Sequence, residues 1–367
     1  MTISGQIAFE REVWRCAKCG RSFAPVDLAM NARPKGKWTA GVERMAAFAA
    51  ALDPYLGASK TLLELAHIQM SSSEVDRIAQ EYGDHFDSQQ RREEEEWLRP
   101  VDPLRETPEP EISCENLVIQ ADAASVLTVS GEEHKSVYCG TVFGLEARGK
   151  SGKRPFLSNR LYTASAENMD DFSPRLKALA WRGGMRRAKA VAFVGDGAPC
   201  LWKWAEENLP EGTLFIQDFW HVCERLAKLA KALFAAAWES VFKQWKRWLR
   251  RSKIGLILRE LRKLYALRRG QARETLKEEL GYLENGRHRM DYARYEKEGW
   301  LIGSGAVEGT CKHLVKSRFA VTGARWRRKN IHKVLALRLE LFNEDWEKRW
   351  ETQSWKNQPC EIEEEAA

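Results

Sequence analysis

The chain has 367 residues, 44% of them hydrophobic, with 59 Lys and Arg against 52 Asp and Glu and a net charge of +7. That length accommodates two or three domains with their own cores, and no apolar run approaches the roughly 18 residues of a membrane span. Met1-Thr2-Ile3-Ser4-Gly5-Gln6 has neither a basic start nor an apolar block, and eight cysteines without dense spacing suit a reducing cytoplasm.

The first motif is Cys16-Ala17-Lys18-Cys19-Gly20, followed by Phe23. It reads as one knuckle of a zinc ribbon, in which Cys16 and Cys19 supply two of the four ligands that a structural zinc needs. The next cysteine is Cys114, so the expected Zn²⁺ site is incomplete within residues 1–39. Residues 40–98 read as helical. Gly41 to Leu52 and Ala58 to His67 are apolar stretches, and Ser71-Ser72-Ser73-Glu74 is a capping box opening a helix that the charged segment 83–98 continues. Short helices with tight turns fit a helix-turn-helix DNA-binding domain or a small packing bundle. Pro100, Pro103, Pro108 and Pro110 mark residues 99–113 as a linker.

Strands are predicted over Leu117 to Ala123, His134 to Leu145 and Phe156 to Ala164, then a helix over Ala166 to Trp181. Strand Ala188 to Gly195, helix Pro199 to Asn208 and strand Thr213 to Phe219 follow. Three strands followed by helix, strand, helix, strand is the order of a ribonuclease-H-like mixed sheet. Residues 220–300 read as a basic helical insertion, residues 301–350 as the return to the core, and residues 351–367 as an acidic tail.

Two apolar runs, Leu117 to Ala121 and Val191 to Gly195, lead into Asp122 and Asp196. Asp is disfavoured in strands, and an unpaired buried carboxylate is costly. Two such residues on neighbouring strands suggest carboxylates gathered around a metal. Glu308, in Gly303-Ser304-Gly305-Ala306-Val307-Glu308, is the candidate third acid, with Ser304 expected to cap its helix. Carboxylates, waters and phosphate oxygens are what Mg²⁺ prefers, and two such ions about 3.5–4 Å apart serve phosphodiester chemistry. For Asp196 a plain turn aspartate, and for Glu308 a cap of its own helix, are the alternatives.

Charge is concentrated in two segments. Arg225 to Arg269 holds fourteen Lys and Arg against two acids, and Lys316 to Lys333 holds seven and none. Trp238, Trp245, Trp248 and Trp326 are interleaved with them, a combination that suits nucleic acid. The candidate DNA contacts are Lys246, Arg247, Arg250, Lys312, Lys316, Arg318, Arg325, Trp326, Arg327 and Arg328; a solubilising helix face with tryptophan packed beneath is the other reading.

Several motifs together resemble bacterial insertion-sequence transposases with an Asp-Asp-Glu triad, of the Mutator-like group and its Kra-type branch. They are Gln120-Ala121-Asp122, Val194-Gly195-Asp196-Gly197-Ala198-Pro199, Asp218-Phe219-Trp220-His221, Gly303-Ser304-Gly305-Ala306-Val307-Glu308 and Thr322-Gly323-Ala324-Arg325-Trp326. The resemblance covers nearly the whole chain. It implies a DNA transposase that cleaves at element ends and transfers strands to target DNA, with Asp122, Asp196 and Glu308 holding two Mg²⁺ or Mn²⁺ ions. It also implies a homodimer or higher oligomer on DNA and a cytoplasmic, nucleoid-associated location. Asp218 and His221 match the family's Asp-x-x-His motif; Asp218 either fixes the tautomer of His221 or simply caps the following helix with His221 as a polar neighbour, and it is the rival to Asp196 as metal ligand. Ala123 departs from the glycine the family usually carries after the first aspartate, and family members tend to have a longer N-terminus with a second Cys pair. A nuclease that only hydrolyses, or a catalytically silent DNA-binding derivative, shares most of these features.

Overall fold

The computed structural model describes residues 8, 10–20, 22–26, 37–100, 108–133, 135–146 and 156–351. The chain divides into two compact units, one of Met1–Arg92, Val126–Lys135 and Leu314–Ala367, the other of Glu93–Ser125 and Ser136–His313. Among the described residues no helix is long and apolar enough to cross a membrane. Residues 352–367 of the acidic tail and Pro103 lie outside the described residues.

In the first unit, β1 (Trp14–Arg15) and β2 (Ser22–Phe23) pair antiparallel around the Cys16–Cys19 turn. Three helices follow: α1 (Ala40–Leu52), α2 (Tyr55–Ala66) and α3 (Ser72–Leu98). Ser71 Oγ accepts the Glu74 N–H at 3.2 Å, but the Glu74 carboxylate turns to Arg77 and Trp38, so only half of the expected capping box forms. Val42, Ala46, Ala47 and Ala50 recur at helical spacing on α1. Their small side chains form one core with Val75, Ile78 and Phe86 of α3 and with Ala336 and Leu337 of the helix Arg328–Phe342.

That packing corrects the expected allotment of residues 301–350. Residues 314–351 belong to this helical unit, because the helix Arg328–Phe342 spends its apolar face on α1 and α3. Two guanidinium groups complete the arrangement. Arg318 donates to Ala50 O at 2.9 Å, and Arg338 donates to Leu314 O at 2.6 Å and also to Ala51 O. Ala50 and Ala51 lie in the last turn of α1, where carbonyls have no partner within the helix and a cation is favoured. Arg318 also lies over the rings of Trp326 and Tyr55, at 4.8 and 5.1 Å from their centroids. Burial lowers Arg338 to about 10.

In the second unit a five-stranded mixed sheet has the order β5-β4-β3-β6-β7. Its strands are β3 (Asn116–Val126), β4 (Lys135–Glu146), β5 (Phe156–Ser165), β6 (Ala190–Gly195) and β7 (Leu214–Gln217). β4 and β5 are antiparallel, while β3, β6 and β7 run parallel. The helices α4 (Met169–Arg182) and α5 (Pro199–Asn208) are the crossovers and cover one face of the sheet with Phe172, Leu176, Leu201 and Trp202.

The opposite face is covered by α6 (Phe219–Phe234), α7 (Trp238–Arg250), α8 (Ile254–Leu267), α9 (Gln271–Gly286) and α10 (Tyr292–Lys297). Leu226, Trp245, Leu258 and Leu283 share a core with Val118, Val194 and Ile216 of the sheet. The segment read as an insertion is therefore the second layer of an α/β sandwich. Trp245 is at the centre of that core, not on a basic surface.

Gly83 lies where α3 meets the backbone of the helix Arg328–Phe342, and a β-carbon there would run into the Lys333 carbonyl. Alanine for glycine ordinarily stabilises a helix interior by about 1 kcal/mol. Here overlap with rigid backbone reverses the sign. Gly83→Ala is expected to lose about 1–3 kcal/mol, read from the urea unfolding midpoint.

Candidate active site

β3 pairs with β6 through Gln120↔Val194, and β6 pairs with β7 through Gly195↔Gln217. Extending both registers sets Asp122 level with Asp196 and Asp218, the residues that immediately follow β6 and β7, at a strand spacing of about 4.8 Å. Side chains alternate along a strand, so the three aspartates share the face of Val118, Val194 and Ile216, under the helical layer. One expectation needs correcting. Asp122 does not end its strand: β3 continues to Val126, with Ala123 and Ser125 exposed and Ala124 and Val126 buried.

The three aspartates have different fates. Asp218 is fully buried. Its Oδ1 accepts the backbone N–H of His221 at 2.7 Å, and its Oδ2 accepts the Ser304 N–H at 2.5 Å and the Ser304 hydroxyl. It caps α6 and clamps the 303–304 loop, and its bond to His221 runs through the backbone, not to the imidazole, so the helix-cap reading holds and the tautomer reading does not. Asp196 sits in a turn, its Oδ1 accepting the Ala198 N–H at 3.1 Å. The Asp196 carbonyl accepts from Gln217 Nε2 at 2.9 Å and from the Tyr282 hydroxyl at 3.1 Å. Burial raises the pKa of that phenol, which keeps it a neutral donor. Gly197 has φ +115°, and a β-carbon there would stand 2.7 Å from Gln217 Nε2, so glycine is required beside Asp196. Asp122 Oδ1 accepts the Ala123 N–H at 2.7 Å, and Cys311 Sγ lies 3.9 Å from its Oδ2.

Glu308 projects from α11 (Gly305–Thr310), which runs into a π-helical turn, Cys311–Lys316. Ser304 occupies the N-cap position but makes no capping bond to the helix, contrary to expectation. Its hydroxyl instead reaches Asp218 and, at 3.1 Å, Glu308 Oε1. The cap comes from the sheet. Gln120 Oε1 accepts the Val307 N–H at 3.1 Å, and Gln120 Nε2 donates to Gly303 O at 3.1 Å. A buried amide on β3 thus holds both ends of the turn that presents Glu308.

A cavity of about 990 Å³ is lined by Asp122, Asp196 and Glu308, together with His221, Trp220 and Arg250. Asp218 is not among its lining residues, so of the two rival ligands Asp196 is the one that faces it. Carboxylates around a roomy cavity match a hard divalent cation in chemistry. Among the described residues, however, no three His, Cys, Asp or Glu side chains already converge as a metal-binding group. That holds equally around Cys16 and Cys19, whose turn is closed by a Gly20 N–H to Cys16 O bond of 2.9 Å. Cys223, two residues past His221, is a core thiol whose pKa burial pushes up to about 12. Cys139 and Cys311 are also buried, whereas Cys200 is exposed.

The basic candidates separate in the same way. Lys312, Lys316, Arg325, Arg327, Arg328, Arg247 and Arg250 are exposed, and Lys246 is half-buried. Arg250 is held by Glu296 in a bidentate pair at 2.7 and 3.1 Å. Arg318 and Trp326 are buried and bonded inside the first unit, which removes them from any DNA-contacting surface.

Gln120 is the site residue that sequence reasoning passes over. Its signal was available: a lone carboxamide in an otherwise apolar run must find partners when buried. No protein-family model matches the chain, and no curated protein matches it in sequence.

Gln120→Leu keeps the volume and removes both bonds. We expect a loss of about 1–3 kcal/mol in stability. Hydrogen exchange at the Val307 amide is expected to accelerate more than at amides of β6; equal protection in both variants would show that the pin does not hold the turn.

Proposed function

We propose that the chain is a DNA transposase with a ribonuclease-H-like core and an Asp122–Asp196–Glu308 triad, cleaving and joining DNA strands with Mg²⁺ or Mn²⁺. The observation that carries this reading is positional. Carried two residues past Gln120↔Val194, the β3–β6 register brings Asp122 level with Asp196 in the turn after β6, and both line one cavity with Glu308. The sheet order, with three leading strands and two parallel additions, supports the same reading. So does the order of the motifs, from Gln120-Ala121-Asp122 to Gly303–Glu308.

Asp122, Asp196 and Glu308 would hold the metal, which when bound supplies an activated oxygen nucleophile and stabilisation of the leaving oxygen. The rest of the work falls to the chain's own groups. Asp218 and Gln120 set the place of Glu308 without facing the cavity. Ser304 carries a single hydroxyl proton between two carboxylates, so it donates to Asp218 or to Glu308 but not to both at once. Asp218 still keeps the Ser304 backbone N–H when that proton turns to Glu308. The exposed Lys and Arg residues, notably Arg247, Lys312, Lys316, Arg325, Arg327 and Arg328, supply phosphate contacts, and a dimer or higher oligomer holds two DNA ends.

Asp122→Ala, Asp196→Ala and Glu308→Ala should each abolish Mg²⁺-dependent cleavage and joining of an end-bearing DNA while leaving the far-ultraviolet spectrum unchanged. Asp218→Ala should lower the unfolding temperature as well as activity. Activity retained by Asp196→Ala would transfer the ligand role to Asp218. Cleavage without joining would make the protein a nuclease, and binding without product under any metal a silent DNA-binding derivative. DNA affinity should fall with salt at a log–log slope of about −0.9 per phosphate neutralised. Reversing Arg327 and Arg328 to Glu should flatten that slope by about two phosphates' worth.

A further inference from the structure

Trp220 is 52% exposed, an unusual place for the largest apolar side chain. Of the described large hydrophobic residues with comparable exposure, it is the only one lining the carboxylate cavity. Its ring is held in place. Phe219 meets it edge-on at 5.2 Å between centroids, and Lys246 Nζ stands 4.7 Å above it. On another side lies the backbone of Gly303, where a β-carbon would come within 2.8 Å of the indole Cδ1. Gly303 is the residue whose carbonyl Gln120 holds, so the indole and the turn bearing Glu308 rest on the same point.

The charge of the cavity sharpens the question of how DNA enters it. Seven carboxylate side chains line it against Arg250 and His221, and Arg250 is already paired with Glu296. A duplex end with both phosphate backbones intact is poorly received there. A single splayed nucleotide carries less charge, and its base can be held by a group whose attraction does not depend on charge. Stacking on an indole is such an attraction and tolerates any base.

We infer that Trp220 is a stacking platform for an unpaired nucleobase next to the phosphate to be cut. This inference rests on the reading of the cavity as a phosphodiester-cleaving site, and it gives that site its substrate class: DNA ends that are frayed or already unpaired. The orientation of the ring is fixed before DNA arrives, so little side-chain freedom is lost on binding.

The test uses the full chain carrying Asp122→Asn, so that no strand is cut. The probes are two DNA duplexes with 2-aminopurine at the terminal position, one blunt and one with a two-nucleotide unpaired end. The Trp220-bearing protein should quench the unpaired probe and bind it more tightly than the blunt one. Trp220→Ala should bind the unpaired probe about five- to hundredfold more weakly, with the quench lost, while binding of the blunt probe changes less than twofold. Trp220→Phe should recover most of the quench, which a loss of folding would not allow. An unchanged quench in Trp220→Ala, or no preference for the unpaired end in the parent, overturns the inference. Failure of the catalytic reading is seen separately, as absence of metal-dependent cleavage in the chain with Asp122 intact, and this binding assay does not depend on cleavage.

Discussion

The carboxamide of Gln120 is fully buried in the middle of an apolar strand, and it must have partners for both its donor and its acceptor. It finds them in Gly303 O and the Val307 N–H, more than 180 residues along the chain. That pairing fixes where the turn 303–307 can lie. Asp218 imposes a second condition by taking the Ser304 N–H between those two points. A turn bound from β3 on both flanks and from the end of β7 in its middle has little freedom left. Glu308 follows directly, which is how a residue on a short helix acquires a defined place beside Asp122.

The same division of labour runs through the three level aspartates. One register produces them, yet Asp218 is buried with both oxygens engaged and Asp196 faces open space. The difference comes from what covers each strand end. Phe219 and Tyr292 pack beside Asp218, whereas Asp196 is followed by Gly197, whose backbone turns away at φ +115°. A carboxylate that holds structure and a carboxylate that faces the cavity thus stand at the ends of two directly paired strands.

Much of the sandwich was legible because its signals are local. Pro199 opens α5, and the Val191–Gly195 run is short and apolar. The level positions of Asp122 and Asp196 were legible too, since both follow apolar runs on strands expected to be adjacent. The end of β3 was not, because Ala123, Ala124 and Ser125 carry no breaker and tertiary alternation alone keeps them extended. Charge density misled at Arg318, Trp245 and Trp326. A guanidinium can be buried when helix-terminal carbonyls and aromatic rings receive it, and sequence shows the charge but not the carbonyl. The long-range caps supplied by Gln120 and Asp218 were illegible for the same reason: their partners are set by the register, not by spacing along the chain.

The helical layer leaves the sheet at Phe219 and comes back at Ile302, and the Phe219 N–H donates to Ile302 O at 2.8 Å. Its two ends are therefore clasped together at residues that line the cavity. In a loop so closed, each doubling of the intervening length costs only about 0.6 kcal/mol of closure entropy. Length is therefore a weak constraint on what lies between the two ends. The strong constraint is the face of Leu226, Trp245, Leu258 and Leu283 that covers the sheet, together with the Tyr282 bond to the Asp196 carbonyl, so added residues are tolerated in the loops between these helices while that face is kept.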